Sequence, residues 1–356
     1  MYVFKKKIYK VLVPLFDVVG YILFWFRNLV KKETKPAEPK NILVIRLDHI
    51  GDVLFATPAV KILRERFKGS KITFLVGSWA KGVLEKNPNI NQIIVYDAPW
   101  FKRDKEQKSA GFWQMVKKVK EQNFDLGIDL RGDLRNIALM YLGGVKYRVG
   151  YGITGGGFLL SKVVKYDKAK HEIRHNIDIL EQVAPGVSHG RIAKPEFFTL
   201  KEDENFASEF LFEHGIINGD AIIAIHPGAG SQVKLWDENK FAEVISSLSK
   251  KAKIIVFGNE KEKDLVRRII ALSKADCVNA AGKTTLGQMA AIIKKCKVFI
   301  GTDSGPAHIA SAVGTPVISI FSGVNDPAQW GPVGDKVIIL NMESTQPKDV
   351  LECVSV

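Results

Sequence analysis

Cysteine is scarce in this chain. Its 356 residues include three, Cys277, Cys296 and Cys353, odd in number and widely spaced. Neither a disulfide framework nor a metal-ligand spacing can be drawn through them, which points to a reducing compartment, the cytosol. Long apolar runs are missing too. The best candidate, residues 11–30, is broken by Asp17 and Arg27, so no uncharged stretch reaches the ~18 residues of a spanning helix. A secretory leader is equally unexpected, because Asp17 interrupts the apolar run and no small-residue cleavage site follows. Residues 41–67 lack the Gly-x-Gly-x-x-Gly dinucleotide fingerprint, which argues against a nicotinamide enzyme. There is no Walker loop and no Asp-x-Asp triplet. No basic helix is interleaved with aromatics, so nucleic acid is not an expected partner.

What the chain does hold is a globular composition, 46% apolar and 25% charged, long enough for two domains. Net charge is +14, and residues 1–40 alone carry nine basic residues against Asp17, Glu33 and Glu38, or +6. An anionic membrane surface or phosphate-bearing substrates account for that excess. Lys5, Lys6, Lys7 and Lys10 lead into the apolar stretch. At helical pitch Lys10, Pro14, Asp17, Tyr21, Asn28 and Lys31 fall in one narrow polar stripe, and the rest of the circumference is apolar. This pattern predicts an amphipathic helix lying in the membrane interface. A tilted span, or a helix docked on the protein itself, stays open. Residues 31–40 read as a polar, proline-bearing linker.

From residue 41 short apolar runs alternate with amphipathic stretches, which calls for parallel sheets with helices on both faces. Strands are expected at 41–47, 71–76, 92–96 and 124–130, and helices at 53–67, 80–86, 111–122 and 171–183. Residues 143–157 are glycine-rich and read as loop. After a boundary near 195–205 the scheme repeats, with strands at 221–225, 253–257, 297–300, 317–321 and 336–340. Asp237 is a fair cap for the helix at 238–250.

In open parallel sheets, ligands collect beyond the carboxyl ends of the strands. Two such domains facing each other would bring their loops to one cleft. In Gly301-Thr-Asp-Ser-Gly-Pro-Ala-His308, small residues at a strand–helix junction leave backbone N–H groups free for an anion. Asp303 could hold a sugar hydroxyl there; an ordinary capped turn is the plain alternative. Gly228-Ala-Gly230-Ser231, followed by Lys234, offers amides, a hydroxyl and a point charge to a phosphate, or is simply a tight loop. Asp52, at a helix start beside Gly51, is a cap or a base. Arg131 and Arg135 could read an anionic acceptor, though local pairing of Arg131 with Asp133 competes. His171 and His175 share a helix face without the usual supporting Glu arrangement, so a metal is not expected. Trp79, Trp100, Trp113 and Trp330 read as core or loop anchors.

Taken together, Ile45-Arg-Leu-Asp-His-Ile-Gly-Asp-Val-Leu-Phe-Ala-Thr-Pro-Ala59, His226-Pro-Gly-Ala-Gly, Lys234-Leu-Trp236 and the 301–308 stretch resemble the heptosyltransferase family, glycosyltransferase family 9. The resemblance covers residues 41–340. It implies an α/β, GT-B fold: two Rossmann-like parallel-sheet domains facing a central cleft, preceded by the N-terminal amphipathic helix. Residues 1–40 are then a membrane-associating helix and linker, 41–200 the acceptor domain and 201–356 the nucleotide-sugar donor domain. It also implies an inverting, metal-independent glycosyltransferase that needs no cofactor beyond a nucleotide diphosphate sugar, typically ADP-heptose. The acceptor would be a lipopolysaccharide core or another lipid-linked glycan, met at the inner face of the cytoplasmic membrane. Asp52 matches the catalytic base. Asp303, Ser304, Gly305 and His308 match the donor-binding loop, and Ser231 and Lys234 the diphosphate contacts. Glu262, with Glu260 as the alternative, matches the acid that holds the donor's ribose. The Arg46-Leu-Asp-His-Ile turn differs from the lysine/serine turn of well-known heptosyltransferases, so another sugar stands beside heptose. A nucleotide-sugar epimerase of the same fold and a non-catalytic sugar-nucleotide-binding scaffold are the rival readings.

Overall fold

The computed structural model describes residues 9–30, 33–101, 111–186 and 193–354. Lys5, Lys6, Lys7, Lys31 and Lys32 lie outside the described residues. The chain divides into two compact units, Met1–Ala193 and Lys194–Val356.

In the first unit β1 (Asn41–Ile45), β2 (Lys71–Val76), β3 (Gln92–Val95), β4 (Leu126–Asp129), β5 (Tyr147–Tyr151) and β6 (Lys162–Val164) form one parallel sheet, ordered β3-β2-β1-β4-β5-β6. Ile42, Leu43, Val44 and Ile45 are completely buried, as a strand covered on both faces requires. Asp125 starts this strand by accepting from the amides of Lys40 and Asn41 at 2.8 and 3.0 Å. The unit's helices are α1 (Tyr9–Val30), α2 (Ile50–Leu54), α3 (Thr57–Arg66), α4 (Phe112–Glu121), α5 (Leu134–Leu142) and α6 (Glu172–Glu181).

Two expectations fail here for local reasons. The helix expected over 53–67 is two helices, because Pro58 has no N–H to give the Leu54 carbonyl. Thr57 Oγ1 donates to that carbonyl instead, at 2.8 Å. The stretch 143–157 is not all loop: it contains β5, whose Arg148 is buried. Glycines on both sides hid the Tyr-Arg-Val-Gly-Tyr strand. Residues 80–86 likewise hold a 3₁₀ turn, Ser78–Val83, in place of an α-helix.

The N-terminal helix is docked on its own unit, with part of its polar stripe turned inward. Asp17 is 3% exposed and accepts from the Gly156 amide at 2.7 Å. Gly156 has φ +77°, a conformation that favours glycine and aims this N–H outward from the loop. Phe24 packs on Phe158 and Tyr141 at centroid distances of 5.1 and 5.4 Å. Behind α1, Glu33 accepts both bonds of a bidentate pair from Arg148 Nη2, at 2.7 and 2.6 Å, so the linker is pinned. Much of the apolar circumference faces outward: Leu12, Leu15, Val18, Val19, Ile22, Leu23 and Trp25 are exposed, as is Phe16, one edge of which packs on Phe158. Among the described residues no helix is long and apolar enough to cross a membrane.

The second unit repeats the architecture. Its strands are β7 (Ile222–His226), β8 (Lys253–Val256), β9 (Cys277–Asn279), β10 (Val298–Thr302), β11 (Val317–Phe321) and β12 (Val337–Asn341), parallel and ordered β12-β11-β10-β7-β8-β9. Around them lie α7 (Lys201–Glu213), α8 (Glu238–Leu248), α9 (Lys263–Ser273), α10 (Leu286–Ile293), α11 (Gly305–Ala312), α12 (Pro327–Trp330) and α13 (Pro347–Glu352). Asp237 caps α8, accepting from the amides of Asn239 and Lys240. Read in chain order, each sheet has the Rossmann order 3-2-1-4-5-6. The strand order reverses between β1 and β4 in the first unit, and between β7 and β10 in the second. Ligands bind at such reversals, past the carboxyl ends.

Candidate active site

In the first unit the loops after β1 and β4 supply the reversal point. Arg46 leaves β1 as a charged residue at the end of an apolar run, and it is 2% exposed. A buried guanidinium has to be paired. Its Nη2 donates to Asp52 Oδ1 and to Glu172 Oε2, both at 3.1 Å. Nε stands 3.4 Å from Asp48 Oδ2, and Nη1 donates to the Leu130 carbonyl. Burial works against the Arg46 charge, yet the three carboxylates hold the guanidinium well above its ordinary value.

Asp52 sits in the first turn of α2 and is 7% exposed. Burial pushes its carboxyl up to about 8; Asp48 adds to that, Arg46 opposes it, Glu172 adds and Arg131 opposes. Glu172 goes the other way. Burial would raise it, but the hydrogen bond with His175 and the Arg46 charge outweigh that and bring it to about 2.

Arg131 and Arg135 stand beside this cluster. Arg131 donates to the Leu47 carbonyl and pairs with Asp48 at 3.0 Å, while Asp133 is farther, at 3.8 Å. The tight local pair is Arg135 with Asp133, bidentate at 2.8 and 2.6 Å. Asp133 also caps α5. Arg131 lies over the Phe101 ring and Arg135 over Trp100, each 4.8 Å from the centroid. Trp79 stacks on Phe101 and donates through its indole N–H to the Asp48 carbonyl at 2.8 Å. Trp79 and Trp100 thus anchor loops, as expected; Trp113 does not, being 71% exposed.

In the second unit the loops after β7 and β10 meet. Lys234 Nζ donates to Asp303 Oδ2 at 2.6 Å, and Asn325 Nδ2 donates to the same oxygen at 2.8 Å. Asp303 thereby aims the lysine. His226 Nε2 is 3.3 Å from Glu262 Oε2, and its Nδ1 is 3.4 Å from Ser304 Oγ. Burial would raise the Glu262 carboxyl, but His226 and the Asn259 amide hold it below its ordinary value. Glu260, the alternative acid, is exposed and pairs with Lys263. Gly228 leaves room for the Glu262 carboxylate: a Cβ there would stand 2.1 Å from Oε1 and force that side chain to shift. Ser304 is the N-cap of α11 without a side-chain cap bond, Gly305 begins that helix, and His308 is buried one turn in. Ser231 is exposed at the start of the 3₁₀ turn that carries Lys234.

Glu172 and Asn325 were not singled out from the sequence; Arg46 and His226 were read only as parts of motifs, and His175 only as a metal pair with His171. Arg46 carried a legible signal, a lone charge ending an apolar strand. For Asn325, in the loop after β11, none was available. The pairing on α6 is Glu172 with His175, three residues apart, and not the His171–His175 spacing weighed for metal. Among the described residues no group of three or more His, Cys, Asp or Glu could hold a metal ion.

The model of glycosyltransferase family 9 (heptosyltransferase) matches residues 112–355. The lipopolysaccharide core heptosyltransferase OpsX of Haemophilus influenzae is 27% identical over 317 residues, 86% of each chain. Lipopolysaccharide heptosyltransferase 3 of Escherichia coli is 27% identical over 296 residues, 81% of this chain and 85% of that one. Among solved structures, a family 9 glycosyltransferase from Veillonella parvula superposes with a TM-score of 0.76 at 26% identity, over 88% of this chain and 90% of that one. The ADP-heptose lipopolysaccharide heptosyltransferase II of Escherichia coli gives 0.75 at 20% identity, over 88% and 97%. Two doubly wound parallel-sheet units in one chain, matching these structures, are the GT-B fold, and the chain belongs to glycosyltransferase family 9, the heptosyltransferase family.

Proposed function

We propose that this glycosyltransferase moves heptose from ADP-heptose, or a close nucleotide diphosphate sugar, to a lipopolysaccharide-core type acceptor, with inversion and without a metal ion. The observation that carries the reading is Asp52: a buried carboxylate at the sheet reversal, held at 3.1 Å by Arg46 and pushed up to about 8 by burial. A base matched to neutral pH is what removing a proton from a sugar hydroxyl calls for. In the proposed step the acceptor oxygen attacks the anomeric carbon from the face opposite the diphosphate. Its proton passes to Asp52 and the bonding pair leaves with the diphosphate. Lys234 and the amides at the start of α11 meet the charge that develops there. Ser231 is a further diphosphate contact, and Glu262 holds the ribose. Arg131 and Arg135, backed by aromatic rings, receive the acceptor.

The acceptor is lipid-linked, and the first unit rests on the anionic inner surface of the cytoplasmic membrane through α1. Supporting this are the outward apolar side chains of that helix and the lysines that precede it in the sequence.

The test is incubation with ADP-heptose and lipopolysaccharide from a heptose-deficient strain, read by mass spectrometry. One added heptosyl residue of inverted anomeric configuration is expected, unaffected by a chelator. Asp52→Asn should lower kcat by about 10²–10⁴. An unchanged rate in that variant, or conversion of donor alone to an epimer, would overturn the reading. For attachment, Leu15→Ser/Val19→Ser/Leu23→Ser should stop co-sedimentation with phosphatidylethanolamine–phosphatidylglycerol vesicles; continued sedimentation rejects it.

A further inference from the structure

One guanidinium in the first unit serves three carboxylates. Arg46 cannot neutralise Asp48, Asp52 and Glu172 together, so the charge available to one depends on what the others take. Glu172 is the best supported of the three. It lies in the first turn of α6, and its Oε1 accepts from the Tyr166 hydroxyl at 3.2 Å and faces His175 Nδ1 at 2.9 Å. His175 Nε2 is 2.6 Å from the Asp167 carbonyl oxygen. Both ring nitrogens of His175 thus face oxygens of the same local network. Asn176, next on the helix, donates to the Phe55 carbonyl at 2.9 Å and so ties α6 to the end of α2, the helix that bears Asp52.

We infer that Glu172 is a positioning residue for Asp52: it draws off part of the Arg46 charge at 3.1 Å and sets its own negative charge near Asp52, leaving Asp52 a stronger base than an isolated Arg46–Asp52 pair would. The inference rests on the reading of Asp52 as the transferase base. The groups that face Asp52 are Arg46, Asp48, Glu172 and Arg131. Those that face Glu172 are Arg46, His175, Tyr166 and Tyr151. Because both carboxylates bond the same Nη2, their oxygens are at most about 6 Å apart, and a like charge at that range moves a carboxyl by roughly 0.5–2 pH units.

The experiment is a pH titration of the full-length protein with its aspartates carbon-13 labelled at Cγ, the Asp52 resonance being identified by its loss in Asp52→Asn. Glu172→Gln should lower the Asp52 midpoint by on the order of one pH unit. His175→Gln, which leaves the Glu172 charge but removes its partner, should raise it. A merely structural role for Glu172 would cost thermal stability and leave the midpoint where it was. An unmoved midpoint in Glu172→Gln overturns the inference. Should that variant fail to fold, an unmoved or lowered midpoint in His175→Gln does so. The titration uses no substrate, so an active Asp52→Asn enzyme would sink the base role alone, and an unmoved midpoint would sink this inference alone.

Discussion

Replacing Asp52 with asparagine should make the protein more stable, and more so as the pH rises. The native Asp52 carboxyl sits at about 8 against an ordinary 3.8, so the folded state binds this proton more tightly than the unfolded state. Below pH 3.8 both states are protonated and asparagine is close to neutral. Between 3.8 and about 8 the unfolded chain has lost the proton and the native chain must keep it or bury a charge. The native state therefore loses stability across that window, by up to ~1.4 kcal/mol per pH unit, and the loss is constant above it. The full span would be about 6 kcal/mol, an upper bound because side chains and water relax around a buried charge. We expect Asp52→Asn to gain about 2–4 kcal/mol at pH 9 and close to nothing at pH 4. The opposing effect is an Arg46 stripped of a partner, which costs about 3–5 kcal/mol where the charge is left alone. Here it is not left alone, since Glu172, Asp48 and the Leu130 carbonyl remain. Hydrogen exchange of the β1 and β4 amides, corrected for intrinsic rates at each pH, isolates the first unit. A gap between variant and wild type that stays the same from pH 5 to pH 9 would refute the reasoning.

Lys234→Met should weaken ADP binding by about 10–100-fold, the value of one charge-assisted hydrogen bond, measured by calorimetry. An equal affinity would remove Lys234 from the diphosphate site. Gly228→Ala should drive Glu262 off His226, because the new Cβ falls 2.1 Å from its Oε1. Tenfold or greater loss of nucleotide-sugar affinity with the β7 and β8 amides still protected is the expected signature. Asp17→Ala removes the bond to the Gly156 amide, about 1.5–3 kcal/mol for a charged acceptor. The α1 backbone should then exchange faster than in the wild type while β1 is unaffected; unchanged α1 exchange would mean the aromatic packing on Phe158 holds the helix by itself.

What could be read from the sequence was whatever local chemistry determines. Ile42 to Ile45 announced a buried strand because nothing but a two-faced sheet takes four such residues in a row. Asp237 announced a helix start because a short acceptor ahead of free amides does that work anywhere. The break at Pro58 was equally local and was missed by weighting the apolar spacing above the missing N–H. The β5 strand and the Arg148–Glu33 pair were less accessible. β5 pairs with the nearby β4 and β6 but was hidden by the glycines around it, while the Arg148–Glu33 pair joins residues 115 apart, and no periodicity carries that information. The same holds for Arg46 with Glu172, 126 positions away. Its charge was visible in the sequence, but the carboxylate that answers it was not.

The orientation of α1 makes the point most fully. Composition alone gave a narrow polar stripe on an apolar cylinder, and such a helix has two ways to satisfy itself. In water it hides the cylinder; in a lipid interface it hides it there and keeps the stripe wet. In the structure Asp17 from the stripe is spent on the Gly156 amide and most of the cylinder is left facing out. The polar Asp17 and the rings of Phe16 and Phe24 hold the helix to its unit, and the remaining apolar side chains are left exposed. That choice could not be read from residues 9–30, because it was decided by a glycine at position 156 with φ +77°.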